Sequence, residues 1–85
     1  LDLMTLGVVN PDASSGYDIF TKNDHRRKTY RKLVFREEVL VGAILINQME
    51  QGGLFLSLIR NEIPITIPRE NLLDPGFNFR QLMRE

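Results

Sequence analysis

The side chains able to carry chemistry are few, and their spacing argues against each in turn. His25 is the one histidine, and Arg26, Arg27 and Lys28 follow it directly. Neighbouring cations disfavour the imidazolium form and repel a metal ion, so His25 reads as a solvated turn residue. Glu37 and Glu38 are adjacent in a tip and cannot converge across a substrate as an acid and base pair would. Glu50, Glu62 and Glu70 are scattered. Ser14 and Ser15 sit in turn sequence with no His base nearby, and Gly52-Gly53 lacks the flanking residues of a phosphate loop. There is no cysteine, which removes disulfides, thiolate nucleophiles, iron–sulfur ligation and CxxC zinc sites together. No catalytic or metal residue is therefore assigned. The function must lie in surfaces, and the chain reads as an accessory domain rather than an enzyme in its own right.

The basic run Arg26 to Lys32, interleaved with Tyr30, has the look of a nucleic-acid patch. Strand alternation divides its charges between two faces, however, and the 11 basic and 11 acidic residues leave a formal net charge of zero. A solvated strand edge, or an edge that receives an acidic partner protein, accounts for it better. Neither nucleic acid nor a membrane is expected as a partner. The longest apolar run, Val39 to Ile46, is far too short to span a bilayer. Without disulfides or a signal peptide, the expected location is the cytoplasm.

The elements that would position these residues can be read from their periodicity. Leu1 to Val9 alternates as a strand with one buried face, and Pro11 to Gly16 is turn chemistry. Because Leu1 opens in strand-like sequence, the chain looks like a piece of something longer. Tyr17 to Lys22 is a short strand, and Asn23-Asp24 a natural turn after it. Thr29 to Arg36 is the clearest strand: Leu33 and Phe35 share a face that Arg31 extends. Glu37-Glu38 forms the tip, and Val39 to Ile46 returns as a strand apolar on both sides, hence central and covered on both faces. The domain's own helix covers one face, and a partner is the expected cover for the other.

Glu50 to Glu62 reads as that helix, with Leu54, Phe55, Leu58 and Ile59 at helical spacing and Pro64 as its stop. Gly52-Gly53 in its first turns costs helix stability, a loss offset where the backbone must approach a sheet or a ligand closely. Ile63 to Ile67 is extended, Pro68 to Leu73 a helical turn, and Asn78 to Arg84 a short final helix. The 85 residues make one domain: an α+β fold with a small antiparallel sheet of about four strands against one main helix.

One stretch carries a resemblance. Tyr30-Arg31-Lys32-Leu33-Val34 leads through the charged tip to Leu40-Val41-Gly42-Ala43, and a glycine-containing helix ends in Leu58-Ile59-Arg60. In this order, over about Gly16 to Ile65, the chain resembles the C-terminal domain of the FAD-dependent pyridine nucleotide-disulfide oxidoreductases. The branch is that of the rubredoxin reductases and nitrite reductase large subunits. The sequence departs from that pattern at Asn47, where Gly is common, and in its doubled Gly52-Gly53.

The resemblance implies an accessory role. FAD and NAD(P)H would be held by upstream domains of the same chain, and no cofactor by this domain alone. Those upstream domains are the implied partners, with homo-oligomer and electron-acceptor protein contacts beside them. A cofactor-facing or interdomain surface would involve Asn47, Gln48, Gly52 and Gly53. The alternative is a stand-alone dimerisation or protein-interaction module using Val39 to Ile46 and the helix.

Overall fold

The computed structural model describes residues 2–11 and 16–74. The turn read over Pro11 to Gly16, with Ser14 and Ser15, falls largely outside them, and the helix read at Asn78 to Arg84 does so entirely. Four strands, β1 (Leu3–Gly7), β2 (Tyr17–Asp24), β3 (Thr29–Arg36) and β4 (Val39–Ile46), precede helix α1 (Gly52–Arg60) and a short 3-10 helix (Arg69–Leu73). The sheet order is β1-β4-β3-β2. Every pairing is antiparallel. The α+β architecture expected from the sequence is the one found, with β3 and β4 at the sheet centre.

Asn23-Asp24 does not form the turn. Both residues remain in the β2–β3 ladder, opposite Tyr30 and Thr29. The turn is His25 to Lys28 instead. The Asp24 carboxylate folds it by accepting the backbone N–H groups of Arg26 at 3.1 Å and Arg27 at 3.2 Å. An Asx side chain holds the turn that follows it, which moves the reversal two residues along the chain.

Alternation then sorts the side chains. Arg31, Leu33 and Phe35 of β3 pair with Leu45, Ala43 and Leu40 of β4 on the face that carries α1. Leu40 reaches that face because the ladder slips between Val34 and Phe35, leaving Val41 as the extra residue of a β-bulge. Phe55 and Leu58 of α1, with Ile65 and Leu72, close this core. Each fully buried Leu or Phe contributes about 1.5–3 kcal/mol relative to exposure.

The opposite face is more open. Leu3 and Ile19 lie on it, 61% and 48% exposed, beside half-buried Ile44 and Ile46. At Gly42 the chain leaving β1 crosses this face, so that a Cβ on Gly42 would stand 1.7 Å from the Val8 carbonyl oxygen. Only glycine permits that crossing.

The helix ends at Arg60, four residues before Pro64. Asn61 caps it, and Glu62 turns left-handed at φ 50°. The Glu62 N–H reaches Ile59 O at 3.3 Å and the Ile63 N–H reaches Leu58 O at 3.2 Å. These two bonds are a Schellman motif, completed by the apolar pair Ile63 and Leu58.

Candidate functional site

The residues singled out from sequence lie where β4 hands over to α1. Asn47 leaves the strand in the left-handed region at φ 58°. Glycine and asparagine are the residues that tolerate this conformation, so Asn47 suits this backbone as a Gly would. Its groups are also spent. The Asn47 N–H donates to Asp2 O at 2.8 Å, Oδ1 accepts the Asp2 N–H at 2.9 Å, and Nδ2 donates to Lys28 O at 2.8 Å. Asn47 thus ties β4's end to the start of β1 and to the β2–β3 turn.

The two glycines separate in role. A Cβ on Gly52 would meet Met4 Sδ at 2.5 Å, so this glycine brings the helix start down onto the sheet. Gly53 is exposed and nothing lies within 4 Å of its Cβ direction. It faces outward beside Leu54, which is 43% exposed. Of the two approaches the pair allows, Gly52 makes the one to the sheet, and Gly53 leaves a backbone surface open.

Gln48 is only 8% exposed. It lines a polar cavity of about 220 Å³ with Arg31, Lys22 and Arg27, beneath the β2–β3 turn. Here the solvated-edge reading of the basic run fails for one member. β3 is an interior strand, and Arg31, 2% exposed, lies on the core face. Its Nη1 donates to Leu72 O at 2.8 Å, and its guanidinium carbon lies 5.1 Å from the Phe55 ring centroid. Burial pushes the Arg31 pKa down, while the carboxylates of Glu50 and Asp74 pull it back up. An arginine does not shed its proton in a protein, so a cation sits against the core. The pattern Arg31, Leu33, Phe35 signals this placement in the sequence.

A second arginine has no such signal. Arg69, in the 3-10 helix, donates to Asp18 Oδ2 at 3.0 Å and to the Glu37 carbonyl, and lies 4.9 Å over the Phe35 ring. It clamps the segment after α1 onto β2 and the β3–β4 tip. Near that tip lies an apolar groove of about 340 Å³ walled by Val39, Val41 and Ile59.

Among the described residues no His, Cys, Asp and Glu group could hold a metal ion, and no helix is long and apolar enough to cross a membrane. His25 is an exposed turn residue. The fold and these surfaces define a small α+β domain. The chain belongs to the rubredoxin NAD+ reductase C-terminal domain family, whose family model matches residues 1–63. Neither the curated proteins nor the solved structures contain a match to it.

Proposed function

We propose that this chain is the C-terminal accessory domain of an FAD-dependent NAD(P)H oxidoreductase acting in the cytoplasm, packing on flavin and nucleotide domains of the same polypeptide. The observation that carries the reading is the family match over residues 1–63 of the 85. Two features of the β4–α1 junction support the accessory part of that assignment. Gly52, the glycine best placed for a close approach, is already filled by Met4, and Asn47 has spent its amide. In this reading FAD and NAD(P)H belong to the other domains, and no chemical step is assigned to a residue of this one.

The interdomain surface in this reading is the outward side of the loop and helix start. Gly53 and Leu54 make the contact, Gln48 borders it, and Asn47 and Gly52 fix its position. The apolar groove of Val39, Val41 and Ile59 is a second contact surface, suited to a homo-oligomer or to an electron-acceptor protein. The test uses the full polypeptide that carries this domain. It should purify yellow, retain FAD and oxidise NADH or NADPH, and Leu54→Asp should loosen flavin retention while the domain stays folded. A colourless polypeptide that binds no added FAD overturns the reading.

A stand-alone dimerisation or protein-interaction module would instead use β4, Val39 to Ile46, and helix α1, with Leu3 and Ile19 exposed on the open sheet face. Sedimentation of the 85-residue chain separates the two. A dimer favours the module, and a monomer at high concentration favours the accessory domain.

A further inference from the structure

We propose that the free edge of β1 is a docking site for one extended strand from the domains that precede this one in the same polypeptide, an inference that rests on the accessory-domain reading. Among the described residues β1 is an outer strand of the sheet and pairs with β4 alone. The direction of its backbone groups follows from two bonds at its ends. Asp2 O accepts the Asn47 N–H at 2.8 Å, and the Val8 N–H donates to Val41 O at 2.9 Å. Across a trans peptide the C=O and N–H point opposite ways, so the Leu3 N–H and the Gly7 C=O point away from β4. Bonded and non-bonded pairs alternate along an antiparallel ladder. Met4 and Leu6, opposite Leu45 and Ala43, therefore turn their backbone groups to β4, and Leu3 and Thr5 turn theirs outward. Leu3 and Thr5 are both exposed. An outer strand with unpaired N–H and C=O groups is a template for a further strand.

The two edges of the sheet are not alike. β2 carries Asp18, Lys22 and Asp24, and Arg69 is tied to it through Asp18 at 3.0 Å. Charges on an edge deter a second strand. β1, Leu-Met-Thr-Leu-Gly, has neither a charge nor a proline. Its side chains specify the partner. Met4 and Leu6 lie half-buried on the helix face, and Leu3 is 61% exposed on the other. The incoming strand is accordingly uncharged, and apolar where it meets them. This edge is also continuous with the surface proposed for docking. A Cβ on Gly52 would meet Met4 Sδ at 2.5 Å, which sets the start of α1, with exposed Gly53 and Leu54, beside β1. A domain seated on Leu54 thus has β1 within reach. The matched family is one of C-terminal domains, and in the accessory reading the domains ahead of it are the source of the strand.

The experiment is residue-resolved hydrogen exchange on the full polypeptide that carries this domain, at low and at high protein concentration. The inward amides of Met4 and Leu6 serve as the reference within β1. With a strand on the edge, Leu3 and Thr5 should exchange within about tenfold of Met4 and Leu6 at either concentration. Thr5→Pro removes an outward N–H that the β1–β4 ladder does not use. It should speed exchange at Leu3 by about a hundredfold and leave Met4 and Leu6 protected. Thr5→Ala, which keeps the N–H, should behave like the parent. The proposal is overturned if Leu3 and Thr5 exchange as a free peptide does while Met4 and Leu6 are protected, or if Thr5→Pro leaves Leu3 protected. Protection that appears only at high concentration assigns the edge to a second copy and overturns it as well. Flavin retention is read on the same sample. A polypeptide that holds FAD with Leu3 and Thr5 unprotected refutes the strand and leaves the oxidoreductase reading standing.

Discussion

The crossing at Gly42 gives the sharpest test of how the sheet is built. In Gly42→Ala the new Cβ would lie 1.7 Å from Val8 O, 2.5 Å from Val8 C and 2.9 Å from Val8 N. All three are backbone atoms, so no rotamer change relieves the contact. Real Cβ atoms essentially never approach closer than 3.0 Å, and the segment at Val8 must retreat by more than an ångström. That movement breaks the Val8 N–H to Val41 O bond, now 2.9 Å, and pulls at the end of β1. A lost hydrogen bond costs about 1 kcal/mol, and steric overpacking adds about 1–3 kcal/mol. The expected loss is about 2–4 kcal/mol, which lowers Tm by on the order of 10–30 °C in a domain this small.

Urea and thermal unfolding followed by circular dichroism measure this directly. Hydrogen exchange adds the location: Val8 should lose protection while Phe55, in the helix, keeps its share of the remaining stability. The internal control is Gly53→Ala. Nothing lies within 4 Å of that Cβ direction, and alanine is the better helix former, so it should stabilise by about 0.5 kcal/mol. Opposite signs at two glycines are what the geometry requires. A Gly42→Ala protein within about 0.5 kcal/mol of the parent, the usual range for uninvolved surface positions, would refute the crossing as described.

Other substitutions probe the remaining joints. Glu62→Gly and Glu37→Gly, at φ 50° and 58°, each relieve left-handed strain of about 1–2 kcal/mol and lose part of it to a more flexible unfolded chain. Each should stabilise by about 0.5–1 kcal/mol in urea melts, and an unchanged midpoint counts against the strain. Asn47→Gly keeps the backbone but gives up the bonds to Asp2 and Lys28, at about 1–2 kcal/mol. Asn47→Ala adds left-handed strain of about 1 kcal/mol, and an alanine variant as stable as the glycine one contradicts the φ argument. Arg69→Ala should cost about 1–2 kcal/mol and Arg69→Lys nearly as much, since lysine cannot bridge Asp18 and the Glu37 carbonyl while lying flat on Phe35. Full rescue by lysine would show that charge alone matters there.

What was legible in the sequence, and what was not, follows from the range of each interaction. The bounds of β3 and β4 were legible because a two-residue charged tip separates two strand-like runs, and both runs match the strands found. The end of β2 was misplaced because Asp24 looks like a turn residue, whereas its side chain forms the turn that follows. Arg31 was half legible. Its spacing from Leu33 and Phe35 gave the correct face, but the basic run around it argued for solvent. Burial is tolerated because the guanidinium can lie against Phe55 and donate to Leu72 O. The Gly52-Gly53 pair was legible as a close approach but not as two roles. Neighbouring helix positions turn by about 100°, so one glycine meets Met4 and the next meets nothing. Arg69 was not legible at all, because its partner Asp18 lies 51 residues away.

Asn47 connects these observations. It lies at the junction that precedes the surface proposed for docking, and its own groups are bonded within the domain. Its Nδ2 holds the carbonyl of Lys28, the last residue of the turn that carries Arg27. Its backbone and Oδ1 hold Asp2, just ahead of β1. The residue after it is Gln48. A loop pinned at its first residue in this way is held against β1 and the β2–β3 turn before any partner arrives, which lowers the ordering cost of docking. The same pins fix the start of α1, and with it the outward faces of Gly53 and Leu54. A surface docking on the helix start would therefore meet a rigid unit. Loosening Asn47, by Asn47→Gly, should therefore weaken docking on the helix start even though Asn47 itself makes no contact there.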